Sequence, residues 1–214
     1  MKGLTVSILI FISFLVNGQV KKLSIDSDTS FWYKNHVDFV KELGIKEITS
    51  FQNDSVFRFW DGNKVVQIEK NSKSYKGDVF FFLREYNGDS QKSERLYSSS
   101  MSLDSNTINK ILELFSDFKI FEFPSDSKIQ GWEKGLDGST YLTEFNCPNY
   151  YSVKSYWTPT VQEKVKEARF LQYFINELNI IDEINDGHKK FMKNQPFESY
   201  YMTIDGVVIV TLIK

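Results

Sequence analysis

The residues best suited to chemistry in this chain lie between Trp132 and Pro159. Gly135-Leu136-Asp137-Gly138-Ser139 is turn-rich and leads into a strand bearing Glu144; the return strand carries Tyr150, Lys154 and Tyr156, then Trp157-Thr158-Pro159. Asp137 and Glu144 are the nearest carboxylates in sequence. As an acid/base pair for glycoside hydrolysis they would need a cleft and a separation of about 5–9.5 Å, which gives one expectation, an envelope hydrolase acting on glycan or peptide. The other is a binding face. There the rings of Trp132, Tyr150 and Tyr156 would stack on a sugar or peptide, while Glu144 and Lys154 fix its polar groups. A third reading is purely structural: Glu144 and Lys154 form an exposed near-cross-strand pair contributing less than about 1 kcal/mol. Binding without catalysis is the leading expectation, on Trp132, Glu144, Tyr150, Lys154 and Tyr156, with no catalytic residue assigned.

Other chemistries lack their residues. The two histidines, His36 and His188, are far apart, and neither HExxH nor CxxC spacing occurs, so no metal or other cofactor is expected. Asp26-Ser27-Asp28 resembles the start of a calcium loop, but Phe31 and Val37 stand where Gly and a bidentate Glu are needed. GxSxG, GxGxxG and phosphate-loop patterns are missing. His36 falls on an apolar helical stripe and reads as a packed, hydrogen-bonded core residue; His188 reads as an exposed loop residue. Cys147 is the sole cysteine, so no intrachain disulfide forms.

Met1–Gly18 has the grammar of a secretory signal peptide: Lys2, the uncharged run Leu4–Val16, then Val16-Asn17-Gly18 before Gln19. As a helix that run reaches only about 20 Å, short of a hydrocarbon core of about 30 Å. No stable transmembrane anchor is expected, and the remainder, 19–214, reads as a single domain exported to the periplasm or beyond. A formal net charge of −2 generates no long-range field to gather phosphates, which argues against nucleic acid as a partner. Aromatic residues make up 16% of the chain, enough for a substantial core. Lys far outnumbers Arg and Ala168 is the only alanine, a bias that points to AT-rich coding and a bacterial source.

The elements that must position these residues follow from periodicity. Trp32, His36, Phe39, Val40 and Leu43 predict a helix over 29–43, capped by Ser27 or Asp28 and ended at Gly44. Val56–Trp60 and Lys64–Lys70 flank Asp61-Gly62, a hairpin signal. Asp78–Tyr86 contains VFFFL, apolar on both faces, and predicts a strand covered on both sides; Arg95–Leu103 completes a meander. Ile108, Ile111, Leu112 and Phe115 predict a helix behind Asp104 or Ser105. A short strand is expected over Lys119–Phe123.

For the second hairpin, a loop of Cys147-Pro148-Asn149 pairs Phe145 with Tyr151, Thr143 with Val153 and Tyr141 with Ser155. That register puts these six on the core and turns Asn146, Glu144, Leu142, Tyr150, Lys154 and Tyr156 outward; a one-residue slip would destroy the segregation. A long helix is predicted from Pro159 or Val161, through a Thr160-x-x-Glu163 capping box or a Thr158 cap. Asp186–Asn194 reads as a loop or frayed helix, and Tyr200–Ile213 as a final hairpin. The expected class is α+β: a largely antiparallel sheet, meander plus hairpins, packed against two or three amphipathic helices.

Gly135–Ser139, Tyr141, Glu144, Tyr151 and Trp157-Thr158-Pro159 ahead of a helix resemble a group of uncharacterised small bacterial exported proteins. The likeness covers about fifty residues. It implies a helix–hairpin–helix unit in an exported bacterial protein, and the group has no activity to carry over. The partner this suggests is an envelope protein or a glycan; oligomeric state does not follow.

Overall fold

A computed structural model describes residues 22–23, 31–52, 54–87, 92–135, 137–195 and 200–202. The signal-peptide segment 1–18, the caps expected at Ser27 or Asp28, and most of the final hairpin lie outside the described residues.

The class is α+β. Four consecutive strands form the expected meander: β2 (Ser55–Asp61), β3 (Lys64–Lys70), β4 (Tyr75–Asn87) and β5 (Lys92–Ser102). The hairpin of β6 (Thr140–Cys147) and β7 (Tyr150–Trp157) then adds to the free side of β2, antiparallel. Two short strands finish the sheet. β1 (Lys22–Leu23) lies parallel to β7, and β8 (Tyr200–Met202) pairs with the far end of β4. The two-residue loop between β2 and β3 is Gly62-Asn63, one residue later than the sequence suggests, and Gly62 takes the positive φ (+54°) that such a loop needs.

Helices cover both faces. On one lie α2 (Ser105–Asp117), α3 (Lys166–Asn179) and α4 (Asp182–Lys193). Phe57, Phe59, Val66, Val79, Phe81 and Leu83 point from the sheet into that layer. They meet Ile111 and Phe115 of α2, Leu171, Phe174 and Leu178 of α3, and Ile184 and Phe191 of α4. Burying each such side chain stabilises the fold by about 1.5–3 kcal/mol. The other face is covered by α1 (Phe31–Glu42) and the segment that follows it. There Val40 and Ile45 pack on Trp60, Val65, Phe82 and Leu142, and Ile48 and Phe51 pack on Val56, Tyr151 and Val153. The VFFFL strand is therefore covered on both sides, as its sequence predicts: Phe81, Phe82 and Leu83 are all buried.

Three local expectations are corrected. Phe118–Glu122 is a series of turns with Lys119 at φ +46°, not a strand; α2 has run out of helix and the chain must reverse beneath Phe115. The Thr160-x-x-Glu163 box caps nothing. Pro159–Val161 forms an isolated 3-10 turn and α3 begins only after Val165. The polar stretch from Asp186 is neither loop nor frayed end but the body of α4, anchored by Ile184 and Phe191 on one helical face. Asp104 does cap α2, its carboxylate accepting from the Thr107 N–H at 2.7 Å.

Candidate functional site

Strand register decides where each candidate side chain goes. β6 and β7 turn through Pro148-Asn149 alone, so Cys147 sits opposite Tyr150, Asn146 opposite Tyr151 and Glu144 opposite Val153. This is one residue off the expected pairing. The correction has a physical cause: the sheet is covered on both faces, so the hairpin has no solvent face to be segregated, and burial did not select the register assumed from pattern alone.

Glu144 consequently enters the layer beneath α1, and its residue is only 2% exposed. On β2, Arg58 lies directly beside it and Trp60 one diagonal step away. The Trp60 indole N–H donates to Oε2 at 2.8 Å, and the Tyr151 hydroxyl donates to Oε1 at 3.0 Å. His36 Nε2 of α1 stands 3.4 Å from Oε2, with Arg58 Nη1 at 3.9 Å from the same oxygen. The His36 ring meets Trp60 edge-on, centroids 4.5 Å apart. Arg58 is held in turn: Nε donates to Gln67 Oε1 at 2.7 Å, and Nη2 donates to the Lys46 carbonyl.

Burial alone would push the Glu144 carboxyl upward. The charges of His36 and Arg58, with hydrogen bonds from His36 and Trp60, outweigh it and bring the pKa down to about 2. Burial likewise lowers Arg58 from its ordinary value, opposed by the Glu144 charge. The space left among His36, Ile48, Arg58, Glu144 and Tyr151 is about 10 Å³, about one water's worth. Such a carboxylate stays ionised and is no proton donor near neutral pH. It serves as an electrostatic rivet between α1 and the sheet.

The other four expected site residues lie elsewhere. Lys154 and Tyr156 share the opposite face with Tyr150, and neither is outward. Lys154 is 4% exposed and its ammonium donates to the Phe121 carbonyl at 2.8 Å. Tyr156 is fully buried among Phe123 and Trp132, and burial raises its phenol well above the ordinary value. Trp132 is half-buried over Tyr156 and donates to the Trp157 carbonyl at 2.9 Å. Tyr150 is half-buried beside Phe145. The structure thus does not gather these five residues on one surface.

The turn-rich segment before β6 has structural duties. Asp126, itself buried, accepts from the Trp157 N–H at 2.8 Å and pairs with Lys134 at 3.1 Å. Gly138 has φ +155°, and a Cβ there would sit 2.1 Å from Thr158 Oγ1. Asp137 is exposed. His188, expected in a loop, lies half-buried on α4, 3.1 Å from Asn63 Oδ1 and against Phe81. Cys147 ends β6, half-buried, rather than lying in the loop. Among the described residues no group of three His, Cys, Asp or Glu side chains could hold a metal ion, and no helix is long and apolar enough to cross a membrane.

A concave surface suited to a ligand lies on the α4-covered face of the sheet. Between β5 and α4 runs a groove of about 760 Å³. Its floor is Phe81, Met101 and Phe191; Tyr97 and Ser99 line one side, and Asp186, Lys190 and Asn194 the other. Gly187 keeps α4 close to this floor, since a Cβ there would stand 2.3 Å from Met101 Sδ and 3.1 Å from the Phe81 ring. No sequence motif marks the groove. Its only trace is the uncharged run Tyr97-Ser98-Ser99-Ser100-Met101 on a strand otherwise rich in charge at its start.

Searches against protein-family models, curated proteins and solved structures found no match for this chain.

Proposed function

We propose that this is an exported, non-enzymatic binding protein of a bacterial envelope, and that the groove between β5 and α4 takes an extended segment of a partner protein. The observation that carries this reading is the groove's position along a sheet edge. Among the described residues β5 pairs with β4 alone, so the outer main chain of β5 borders the groove. An extended segment laid there would gain ladder hydrogen bonds while its alternate side chains enter the apolar floor. The floor's volume lies in the ordinary range for ligand sites, about 300–1,000 Å³. The uncharged centre of β5 carries no lysine or proline to protect the edge from an added strand, and the bulge in its pairing with β4 falls before it, between Ser93 and Leu96. Export is supported by the Met1–Gly18 pattern.

The hydrolase alternative has no comparable support. Glu144 is sealed, ionised and held by Arg58, Trp60 and Tyr151, and Asp137 is exposed on a turn.

The test is selection of displayed peptides against Gln19–Lys214, followed by titration of the winners against Ser99→Trp, which fills the exposed side of the groove. Selected peptides should bind saturably to the wild type and at least tenfold more weakly to the variant, with its unfolding midpoint unchanged. A failure to select any peptide, or equal binding to both proteins, would reject the reading.

A further inference from the structure

We propose that the cleft between the Pro159–Val161 turn and α3 binds a neutral saccharide. The site is separate from the β5–α4 groove and stands whether or not that groove takes a peptide.

The outer stripe of α3 carries Arg169, Gln172, Tyr173 and Asn176 at i, i+3, i+4 and i+7, opposite the core stripe of Leu171, Phe174, Ile175 and Leu178. One helix thereby presents a guanidinium, two amides and a phenol ring on the same side. Thr160 and Glu163 face them across about 430 Å³. Vicinal hydroxyls on a sugar ring are donors and acceptors in fixed pairs, and they are matched by planar groups with two polar atoms each. Arg169, Gln172, Asn176 and Glu163 are all of that kind. The apolar C–H face of a pyranose is matched by an aromatic ring, and Tyr173 is 58% exposed there.

The wall is preorganised. Gln172 Nε2 donates to Asn176 Oδ1 at 2.8 Å, which fixes both amides. That leaves Gln172 Oε1 as a buried acceptor without a hydrogen-bond partner among the described residues. Gln162 is fully spent on the Glu133 backbone, its carbonyl accepting at 3.1 Å and its amide donating at 2.6 Å, so the turn cannot slide away. The Tyr173 ring is steadied by Phe118, centroids 5.7 Å apart, and by Glu177, which accepts from its hydroxyl. One cation and one carboxylate line the cleft, a balance that favours an uncharged ligand over an acidic one.

Linear trisaccharides of glucose, of N-acetylglucosamine and of mannose, each taken up to about 10 mM, reach the concentrations at which millimolar sites saturate. They are to be titrated calorimetrically into Gln19–Lys214, into Tyr173→Ala, into Gln172→Ala, and into Glu167→Ala as a control at an exposed position on the same helix outside the cleft. Saturable binding of at least one series is expected. It should weaken tenfold or more in Tyr173→Ala and in Gln172→Ala and stay unchanged in Glu167→Ala, with every variant still unfolding cooperatively well above the titration temperature. No saturable binding of any series overturns the proposal, and so does binding that survives both cleft substitutions.

Discussion

The Trp60 indole and the Glu144 carboxylate, 84 residues apart, are joined by a 2.8 Å hydrogen bond beneath α1. Trp60 comes from the meander and Glu144 from the added hairpin. The bond therefore ties the two halves of the sheet together where His36 and Arg58 also converge.

Removing one partner from this centre leaves the others buried and uncompensated. Glu144→Ala should destabilise the protein by about 3–5 kcal/mol, chiefly because the Arg58 guanidinium is left without its counter-charge. Urea unfolding would measure it. Arg58→Met combined with Glu144→Leu should recover most of the loss, because a well-packed apolar pair has no charge to desolvate. A double variant as unstable as Glu144→Ala would show that packing, not charge, dominates the site.

The same carboxylate sets an acid limit. Its pKa is 4.5 for the unperturbed group and about 2 in the folded protein. Between those values the unfolded chain binds more protons, so stability present above pH 4.5 is lost as pH falls toward 2. The loss amounts to about 3 kcal/mol. Denaturant midpoints recorded across this range should fall steeply in the wild type and more gently in Glu144→Gln. Parallel slopes would remove Glu144 as their origin.

A second, milder dependence belongs to His188. Burial lowers its pKa, the nearby Lys64 charge acts in the same direction, and Asp61 opposes them. The unfolded chain takes up a proton first, so stability declines as pH falls below the unperturbed value of 6.5. His188→Gln should flatten the midpoint between about pH 8 and pH 5, the interval in which an ordinary histidine titrates. An unchanged profile would assign the decline to other groups.

Close approach of α2 to the sheet depends on Gly77 in β4. A Cβ there would stand 2.8 Å from Ile108 and 3.1 Å from both Ile68 and Leu103. Gly77→Ala should cost about 1–3 kcal/mol by overpacking, despite the better strand former. Ile108→Ala, which removes the Cγ1 atom that the new methyl would meet, should cost less in the Gly77→Ala background than it does alone. Thermal unfolding of the three variants provides the check, and a neutral Gly77→Ala would mean that α2 can shift outward freely.

Periodicity and punctuation made much of the scaffold legible from the chain alone. The meander is visible in Asp61-Gly62-Asn63 and in VFFFL. α2 announces itself through Asp104 and the stripe at Ile108, Ile111 and Phe115. The core stripe of α3 is equally plain from Ala168 to Leu178. These signals are local, because caps, turns and helical or strand periods involve residues within a few positions of one another.

The polar centre left two marks in the sequence, Arg58 inside the apolar run of β2 and His36 on the apolar stripe of α1. A lone charge in such a run implies a buried partner, yet nothing local says which one. Glu144 became that partner because the hairpin joined β2 in a register that puts it beside Arg58, a contact spanning 86 positions. The same register, with helices over both faces of the sheet, took Lys154 and Tyr156 away from solvent. The groove beside Phe81 and the cleft beside Tyr173 arose from the placement of α4 and of the Pro159–Val161 turn. Which face of a strand is buried, and which helices leave space between them, are properties of long-range packing, and only the tertiary structure decided them.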